Sequence, residues 1–233
     1  MSKSAWKDKG RAVLAPLVGL LANLGVTPTG VTLFGLGLHI LGAVVIGFGS
    51  LAGGGFILLL AAVCDALDGA LARQTGQVSR FGAFLDSTID RVDETVVFAG
   101  IAAYYLSSTS GWGDVWAVVS LLALAGSLIT SYSRARAEGL GLDCSVGVFE
   151  RPERIAVTLL GLFLGSAALV LALLVLVVFS WFTVYQRIEH VRTLLDGNGP
   201  GSSGLASDEL SATPEPHSDD PPFPPFRDEP RSE

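Results

Sequence analysis

The sequence predicts an all-α membrane protein with six transmembrane helices and an N-terminal amphipathic helix at the membrane surface. Half of the 233 residues are hydrophobic, only 16% are charged and the mean hydropathy is +0.53, a composition that excludes an ordinary soluble domain. The apolar residues also form long blocks with few or no charges, and several blocks are long enough to cross a hydrocarbon core of about 30 Å. These blocks cover residues 31–48, 56–71, 115–133 and 155–186.

Turn residues divide the first part of the chain into helices. Residues 10–24 combine Arg11 with an apolar face and are too short for a span, so they predict the amphipathic surface helix. The glycine-rich stretch at residues 50–55 is interpreted as a turn. Membrane helices are predicted at residues 27–48, 56–73, 81–106 and 115–138.

The last apolar stretch is too long for one span. Residues 152–193 would form a helix of about 63 Å, roughly twice what a bilayer needs, so we expect two helices with a turn near Gly165 and Ser166. Beyond them the chain becomes glycine-rich, then acidic and proline-rich, a composition that does not bury a core. The predicted domains are an N-terminal surface segment at 1–26, a membrane domain at 27–195 and a disordered cytoplasmic tail at 196–233.

Lysine and arginine residues test the number of spans. With six spans they all fall at one membrane face, and the loops near residues 50, 110 and 165 carry none. The positive-inside rule then predicts a multi-pass protein of the cell membrane with both termini in the cytoplasm. A single long fifth helix would place Arg187 and Arg192 on the opposite side, which the rule disfavours.

Two pairs of aspartates lie within the apolar helices. Asp65 and Asp68 are spaced i, i+3, and Asp86 and Asp90 are spaced i, i+4, so each pair projects from one helix face. An ionisable residue at membrane depth costs about 2.5 to 3.5 kcal/mol on insertion scales, so a cation must compensate for it. Helix capping explains one or two carboxylates at a helix end, but not two matched pairs. Such hard oxygen ligands suit two Mg²⁺ or Mn²⁺ ions in a phosphoryl-transfer site.

The residues around these aspartates resemble the signature of the CDP-alcohol phosphotransferase family. Its pattern, D-x2-D-G-x2-A-R-x8-G-x3-D-x3-D, is complete from Asp65 to Asp90. The resemblance implies a homodimeric six-helix fold with a cytoplasmic active site, in which the four aspartates bind two metals and Asp90 is also the general base. It further implies that CDP-diacylglycerol is bound by Gly69, Arg73 and Ser79 and by a segment before the first span. That segment is Thr29, Gly30, Val31 and Thr32, with Thr29 where the family usually has asparagine.

Basic segments after the fourth helix indicate the acceptor. Residues 131–141 and 149–157 resemble the basic elements of bacterial phosphatidylinositol-phosphate synthases. This resemblance implies transfer of the phosphatidyl group from CDP-diacylglycerol to 1D-myo-inositol 3-phosphate (1L-myo-inositol 1-phosphate), giving phosphatidylinositol phosphate and CMP. Four arginines supply guanidinium groups that can bind the acceptor phosphate bidentately. They are Arg134, Arg136, Arg151 and Arg154.

Alternatives stay open at this point. The arginines also fit positive-inside residues that contact anionic lipid head groups, and glycerol 3-phosphate would suit the same arginines as an acceptor. Paired intramembrane aspartates would also serve a divalent-cation transporter, although all four are predicted at one membrane face. His39 is interpreted as paired with a neighbouring helix or with backbone rather than as a metal ligand. No nucleic-acid partner is predicted.

Overall fold

The computed structural model describes residues 15–108 and 111–196, and every regular element in these ranges is a helix. Of the described residues, those up to 190 belong to one compact unit, and residues 191–196 belong to a second. Nearly all of the tail predicted to be disordered, and the first residues of the predicted surface helix, lie outside the described residues. The helices are α1 at residues 15–23, α2 Pro28–Gly47, α3 Leu51–Gln74, α4 Arg80–Leu106, α5 Gly113–Glu138, α6 Arg151–Leu164 and α7 Ser166–Leu195.

Side-chain caps determine where α2 and α4 begin. The Thr27 hydroxyl accepts a hydrogen bond from the Gly30 N–H at 3.2 Å, and Pro28 follows at the first helical position. The Ser79 hydroxyl accepts a hydrogen bond from the Gly82 N–H at 2.9 Å and caps α4 in the same way. Both starts agree with the sequence prediction to within a residue.

The turn predicted at residues 50–55 is wrong in extent. α3 already begins at Leu51, and the turn before it is made at Gly49, which has a φ of +96°. Gly53, Gly54 and Gly55 lie inside α3 rather than in a turn. Gly54 shows what a glycine does there, which is to let two helices approach closely. A Cβ on Gly54 would lie 2.9 Å from the carbonyl oxygen of Gly42, so the missing side chain allows α3 to pack directly on α2.

The break predicted in the last apolar stretch is confirmed. α6 ends at Leu164 and α7 begins at Ser166. Gly165 lies between them with a φ of +95°, a conformation that favours glycine. The two helices can therefore turn back at the position that the length argument requires.

Four helices are long and apolar enough to cross a membrane, namely α2, α3, α5 and α7. α6 has 14 residues, about 21 Å of helix, which is shorter than a hydrocarbon core of about 30 Å. α4 has 27 residues, but charged side chains occupy much of its N-terminal half. The described chain is thus an all-α membrane protein with four candidate spans, where the sequence predicts six.

Packing buries several small polar side chains within the apolar interior of the helix bundle and leaves many large apolar side chains on its outside. Ser120, Ser180 and Thr183 are fully buried, whereas Phe48 is 90% exposed and Leu164 is 73% exposed. Small hydroxyl residues at helix contacts and apolar residues outside them are typical of membrane helices. α2 packs on α3 and α4, α4 also packs on α5, and α3 packs on α6, so α2 lies against both aspartate-bearing helices.

α1 packs against the N-terminal part of α2 and the C-terminal part of α3. Val18 is 2% exposed and forms a small apolar cluster with Val31 of α2 and with Leu67 and Leu71 of α3. This contact places α1 next to the start of α2 and the end of α3, where the predicted donor-binding residues lie.

Candidate active site

Asp68 is the most enclosed of the four predicted metal ligands, with 5% of the residue exposed. Its Oδ2 accepts a hydrogen bond from the Thr32 hydroxyl at 2.7 Å, and its Oδ1 accepts one from the Gly69 N–H at 2.5 Å. Hydrogen bonds to an ionised carboxylate stabilise its charge and fix its orientation. The structure thus joins Thr32, a predicted donor-binding residue, directly to a predicted metal ligand.

Asp65 of α3 and Asp90 of α4 converge on one arginine. Arg151 Nη2 lies 3.0 Å from Asp65 Oδ2 and 2.7 Å from Asp90 Oδ1, and Arg91 lies 3.6 Å from the other Asp90 oxygen. A positive group therefore already balances carboxylates that would otherwise repel each other. The all-oxygen donor set of the four aspartates fits Mg²⁺ or Mn²⁺. Arg151, predicted to bind the acceptor phosphate, is placed among these aspartates.

A cavity of about 310 Å³ lies between α2, α3 and α4. Two of the four predicted metal ligands and five of the seven predicted donor-binding residues line it: Asp68, Asp86, Thr29, Thr32, Gly69, Arg73 and Ser79. The other two face elsewhere, because the Gly30 N–H is used by the α2 cap and Val31 packs beside α1. The structure thus brings most of the predicted donor site together beside the aspartates.

Gly69 and Arg73 lie one helical turn apart on the cavity wall. A Cβ on Gly69 would lie 3.5 Å from Arg73 Nη1, so the guanidinium lies over the bare backbone of Gly69. A glycine there permits close approach of a ligand, and a guanidinium can bind two phosphate oxygens at once. This pair fits the diphosphate of a CDP-linked lipid.

The remaining predicted acceptor arginines differ in exposure. Arg134 is exposed and pairs with Glu138 at 2.8 Å, and Arg136 is exposed in the last turn of α5. Arg154 is only 5% exposed, and its Nη2 lies 2.9 Å from Glu94 Oε1. Arg134 and Arg136 therefore lie at the surface, whereas Arg154 is held in a buried ion pair.

Sequence reasoning did not find the acidic residues that follow Asp90 on α4. Glu94 accepts a hydrogen bond from the Ser127 hydroxyl at 2.8 Å in addition to its pair with Arg154. Asp93 is 2% exposed and lies 3.3 Å from His39 Nδ1. Their spacing of three and four residues from Asp90 continues the acidic face of α4, and that spacing is the signal that the sequence offered.

His39 contacts both backbone and a neighbouring helix, the two kinds of partner that the sequence analysis names. Arg187 is a buried polar residue whose contacts the sequence analysis does not predict. His39 Nδ1 lies 3.1 Å from the carbonyl oxygen of Gly35 as well as near α4. Arg187, 4% exposed, donates hydrogen bonds to the carbonyl oxygens of Val146, at 3.0 Å, and Thr130. Arg187 thus links α7 to the loop between α5 and α6 and to α5 itself. In the sequence, the only indication of this role is that a lone arginine follows a long apolar stretch.

Comparison with known families decides the class of this site. A model of the CDP-alcohol phosphatidyltransferase family matches residues 25–188. The chain belongs to the CDP-alcohol phosphatidyltransferase family. This membership confirms the resemblance carried by the aspartate motif and favours a CDP-lipid-dependent enzyme over the cation-transporter alternative.

Two relatives within this family cover most of the chain. The phosphatidylinositol phosphate synthase of Mycobacteroides abscessus is 42% identical over 185 residues, which are 76% of this chain and 83% of that protein. The archaetidylinositol phosphate synthase of Pyrococcus horikoshii is 38% identical over 179 residues, which are 76% of this chain and 89% of that protein. The names of the two relatives differ in the lipid and share inositol phosphate.

Solved structures of the phosphatidylinositol phosphate synthase of Mycobacterium tuberculosis have the same family fold. The structure with CDP-DAG bound has a TM-score of 0.72 and 32% identity, and the match covers 82% of this chain and 97% of that one. The structure in complex with manganese and citrate has a TM-score of 0.71 and 33% identity, and the match covers 81% of this chain and 90% of that one. CDP-DAG and manganese are thus both found in the fold that this chain adopts.

Proposed function

We propose that the protein transfers the phosphatidyl group of CDP-diacylglycerol to 1D-myo-inositol 3-phosphate, forming phosphatidylinositol phosphate and releasing CMP. The cavity that joins Arg73 and Gly69 to Asp68 and Asp86 carries this proposal, because it places a diphosphate site against metal-binding carboxylates. The relatives support the choice of acceptor, since inositol phosphate stays in their names while the lipid changes.

The donor binds in the cavity between α2 and α4. Arg73 pairs with the diphosphate oxygens above Gly69, and Ser79 contacts the CDP-lipid at the start of α4. Thr29 and Thr32, which line the cavity at the start of α2, contact the cytidine. Because the Thr32 hydroxyl is bonded to Asp68, donor binding and the orientation of a metal ligand are linked through one side chain.

We assign two divalent cations, Mg²⁺ or Mn²⁺, to the four motif aspartates of α3 and α4. When bound, such cations neutralise the diphosphate and stabilise the charge that develops on the leaving CMP. The residues that hold them are Asp65, Asp68, Asp86 and Asp90. Arg151 touches Asp65 and Asp90, so it lies at the boundary between these carboxylates and the arginines proposed for the acceptor.

Asp90 accepts the proton of the attacking inositol hydroxyl. The hydroxyl oxygen bonds to the phosphorus that carries the diacylglycerol, and the bond from that phosphorus to the CMP oxygen breaks, so that CMP leaves with the electron pair. Charge-assisted hydrogen bonds to the acceptor phosphate hold inositol phosphate for this attack. The residues proposed to donate them are Arg134, Arg136, Arg151 and Arg154.

We place the protein in the cell membrane with α2 to α7 as six spans and α1 on the cytoplasmic surface. The distribution of lysine and arginine supports this topology, because only loops on one side carry them. Both termini and the active site are then cytoplasmic. The proposed domains are residues 1–26, 27–195 and 196–233, and the family resemblance supports a homodimer.

An acceptor panel tests the proposal. Purified protein in detergent with labelled CDP-diacylglycerol and Mg²⁺ is offered inositol 3-phosphate, unphosphorylated inositol or glycerol 3-phosphate in parallel. CMP release and the mass of the lipid product are measured, with Asp90→Asn as the inactive control. We expect phosphatidylinositol phosphate as the main product. Phosphatidylglycerol phosphate as the main product would show that the acceptor assignment is wrong while the family assignment holds.

A further inference from the structure

Three polar side chains from three helices lie together on the inner side of the proposed catalytic centre. His39 of α2, Asp65 of α3 and Asp93 of α4 each offer one ligand atom, and these atoms lie within 4.8 Å of one another. Asp65 belongs to the family motif, whereas His39 and Asp93 lie outside it. Arg151 contacts Asp65 through Oδ2, so Asp65 Oδ1 is left for this cluster.

The Asp93 carboxylate lacks hydrogen bonds. The residue is 2% exposed, and no donor in the described chain bonds to either of its buried oxygens. His39 Nδ1 lies 3.3 Å from Oδ1, but that nitrogen also lies 3.1 Å from the Gly35 carbonyl oxygen. A buried carboxylate without donors is strongly destabilising unless a cation balances it.

The distance between His39 and Asp93 suits two ligands of one metal ion. At metal–ligand distances of about 2.0 to 2.2 Å, neighbouring ligands of a tetrahedral or octahedral ion are about 2.8 to 3.6 Å apart. The 3.3 Å between His39 Nδ1 and Asp93 Oδ1 falls in this range. Asp65 lies on the Gly35 side of α2, since its Oδ1 is 3.3 Å from the place where a Cβ on Gly35 would lie. Glycine at position 35 therefore leaves room for the carboxylate one turn before His39.

We propose that His39, Asp65 and Asp93 bind a third divalent cation, Zn²⁺ in preference to Mg²⁺. The imidazole nitrogen distinguishes this site from the four aspartates, because nitrogen ligands favour zinc and carboxylates alone favour magnesium. A cation here neutralises Asp93 and, through the shared Asp65, fixes α2, α3 and α4 relative to one another. The zinc site itself is argued from these three side chains alone. Only its position beside two catalytic metals rests on the proposed function.

Zinc binding in excess Mg²⁺ tests the site. The full chain, purified with a histidine-free tag, is saturated with Mg²⁺ in detergent, titrated with Zn²⁺ and desalted, and bound zinc is measured by elemental analysis. The wild type should retain one zinc per chain, and Asp93→Asn and His39→Gln should retain nearly none. The chain has three histidines, so the matched controls are His190→Ala and a chain ending at residue 198, which lacks His217. Both controls should keep the zinc.

Cobalt provides a second readout, because Co²⁺ with a nitrogen ligand gives visible absorption bands that His39→Gln should lose. Asp93→Asn keeps the size of the side chain and decides the question if His39→Gln does not yield monodisperse protein. Wild type without zinc, or zinc retained by Asp93→Asn, would overturn the proposal. CMP release with Mg²⁺ alone, measured on the same preparation, separates the two hypotheses: a wild-type chain that releases CMP but retains no zinc in the titration refutes this site and leaves the proposed function intact.

Discussion

Removal of Arg136 should weaken acceptor binding without weakening the fold. The side chain is exposed in the last turn of α5, so Arg136→Ala removes contacts to ligand and little packing. A charge-assisted hydrogen bond is worth about 1.5 to 3 kcal/mol, which is about ten to a hundredfold in affinity. We therefore expect the KM for inositol 3-phosphate to rise by about ten to a hundredfold, while the KM for CDP-diacylglycerol and the melting temperature change little.

Arg154→Ala is the informative contrast because the structure buries this guanidinium. Its Nη2 lies 2.9 Å from Glu94 Oε1, and its Nη1 donates to the Phe149 carbonyl oxygen at 3.3 Å. Breaking a buried ion pair from one side costs about 3 to 5 kcal/mol, since the partner charge stays buried. Arg154→Ala should thus lower the free energy of unfolding by about that amount, in addition to any rise in acceptor KM. Adding Glu94→Gln should restore part of the stability but none of the acceptor affinity.

The assay measures initial rates of CMP release over a grid of acceptor and donor concentrations, with thermal unfolding followed on the same preparations. Unphosphorylated inositol serves as the matched acceptor, because it lacks the group that the arginines are proposed to bind. It should react poorly with the wild type. The reasoning is refuted if Arg136→Ala raises only the KM for CDP-diacylglycerol, or if Arg154→Ala unfolds at the wild-type temperature.

Three further perturbations test the metal centre, the tail and the helix packing. Asparagine at any of the four motif aspartates should reduce CMP release by orders of magnitude while the protein stays monodisperse, because each change removes a charge that the cations need; near-normal turnover in all four variants would contradict the two-metal site. Ending the chain after Asn198 should leave turnover nearly unchanged, because the tail composition does not form a packed unit; a large loss would assign the tail a role. Gly100→Ala should lower the free energy of unfolding by about 1 to 3 kcal/mol, because a Cβ there would strike the Ala43 backbone. Gly37→Ala, where a Cβ meets open space, is the control, and equal melting temperatures for the two variants would contradict the packing argument.

The sequence predicted most helix ends because the signals that set them are local. Thr27 and Ser79 cap the helices that follow them, and Gly165 has the positive φ that the last turn requires. The start of α3 was mispredicted because glycine indicates a turn and a close helix contact equally well. Only the position of Gly42 across the interface distinguishes the two, and that position is not visible in one sequence.

The aspartates of the site were predictable for the same reason, since their spacing on each helix is a local property. The partners of those aspartates were not. Arg151 meets Asp65 across 86 positions of the chain, and His39 meets Asp93 on a different helix. Such pairings depend on which helices pack together, which composition and periodicity do not determine.

The acidic residues of α4 connect the candidate site to the stability of the membrane fold. Asp86, Asp90, Asp93 and Glu94 follow one another at helical spacing, so their carboxylates share a broad face of the helix. That face would be costly in a membrane if it were left alone. The structure turns it toward α2, α3 and α6, where Arg151 meets Asp90, Arg154 meets Glu94 and His39 meets Asp93. The two arginines that balance Asp90 and Glu94 on α4 therefore also place positive charge beside the predicted metal ligands, where the proposed phosphatidyl transfer needs it.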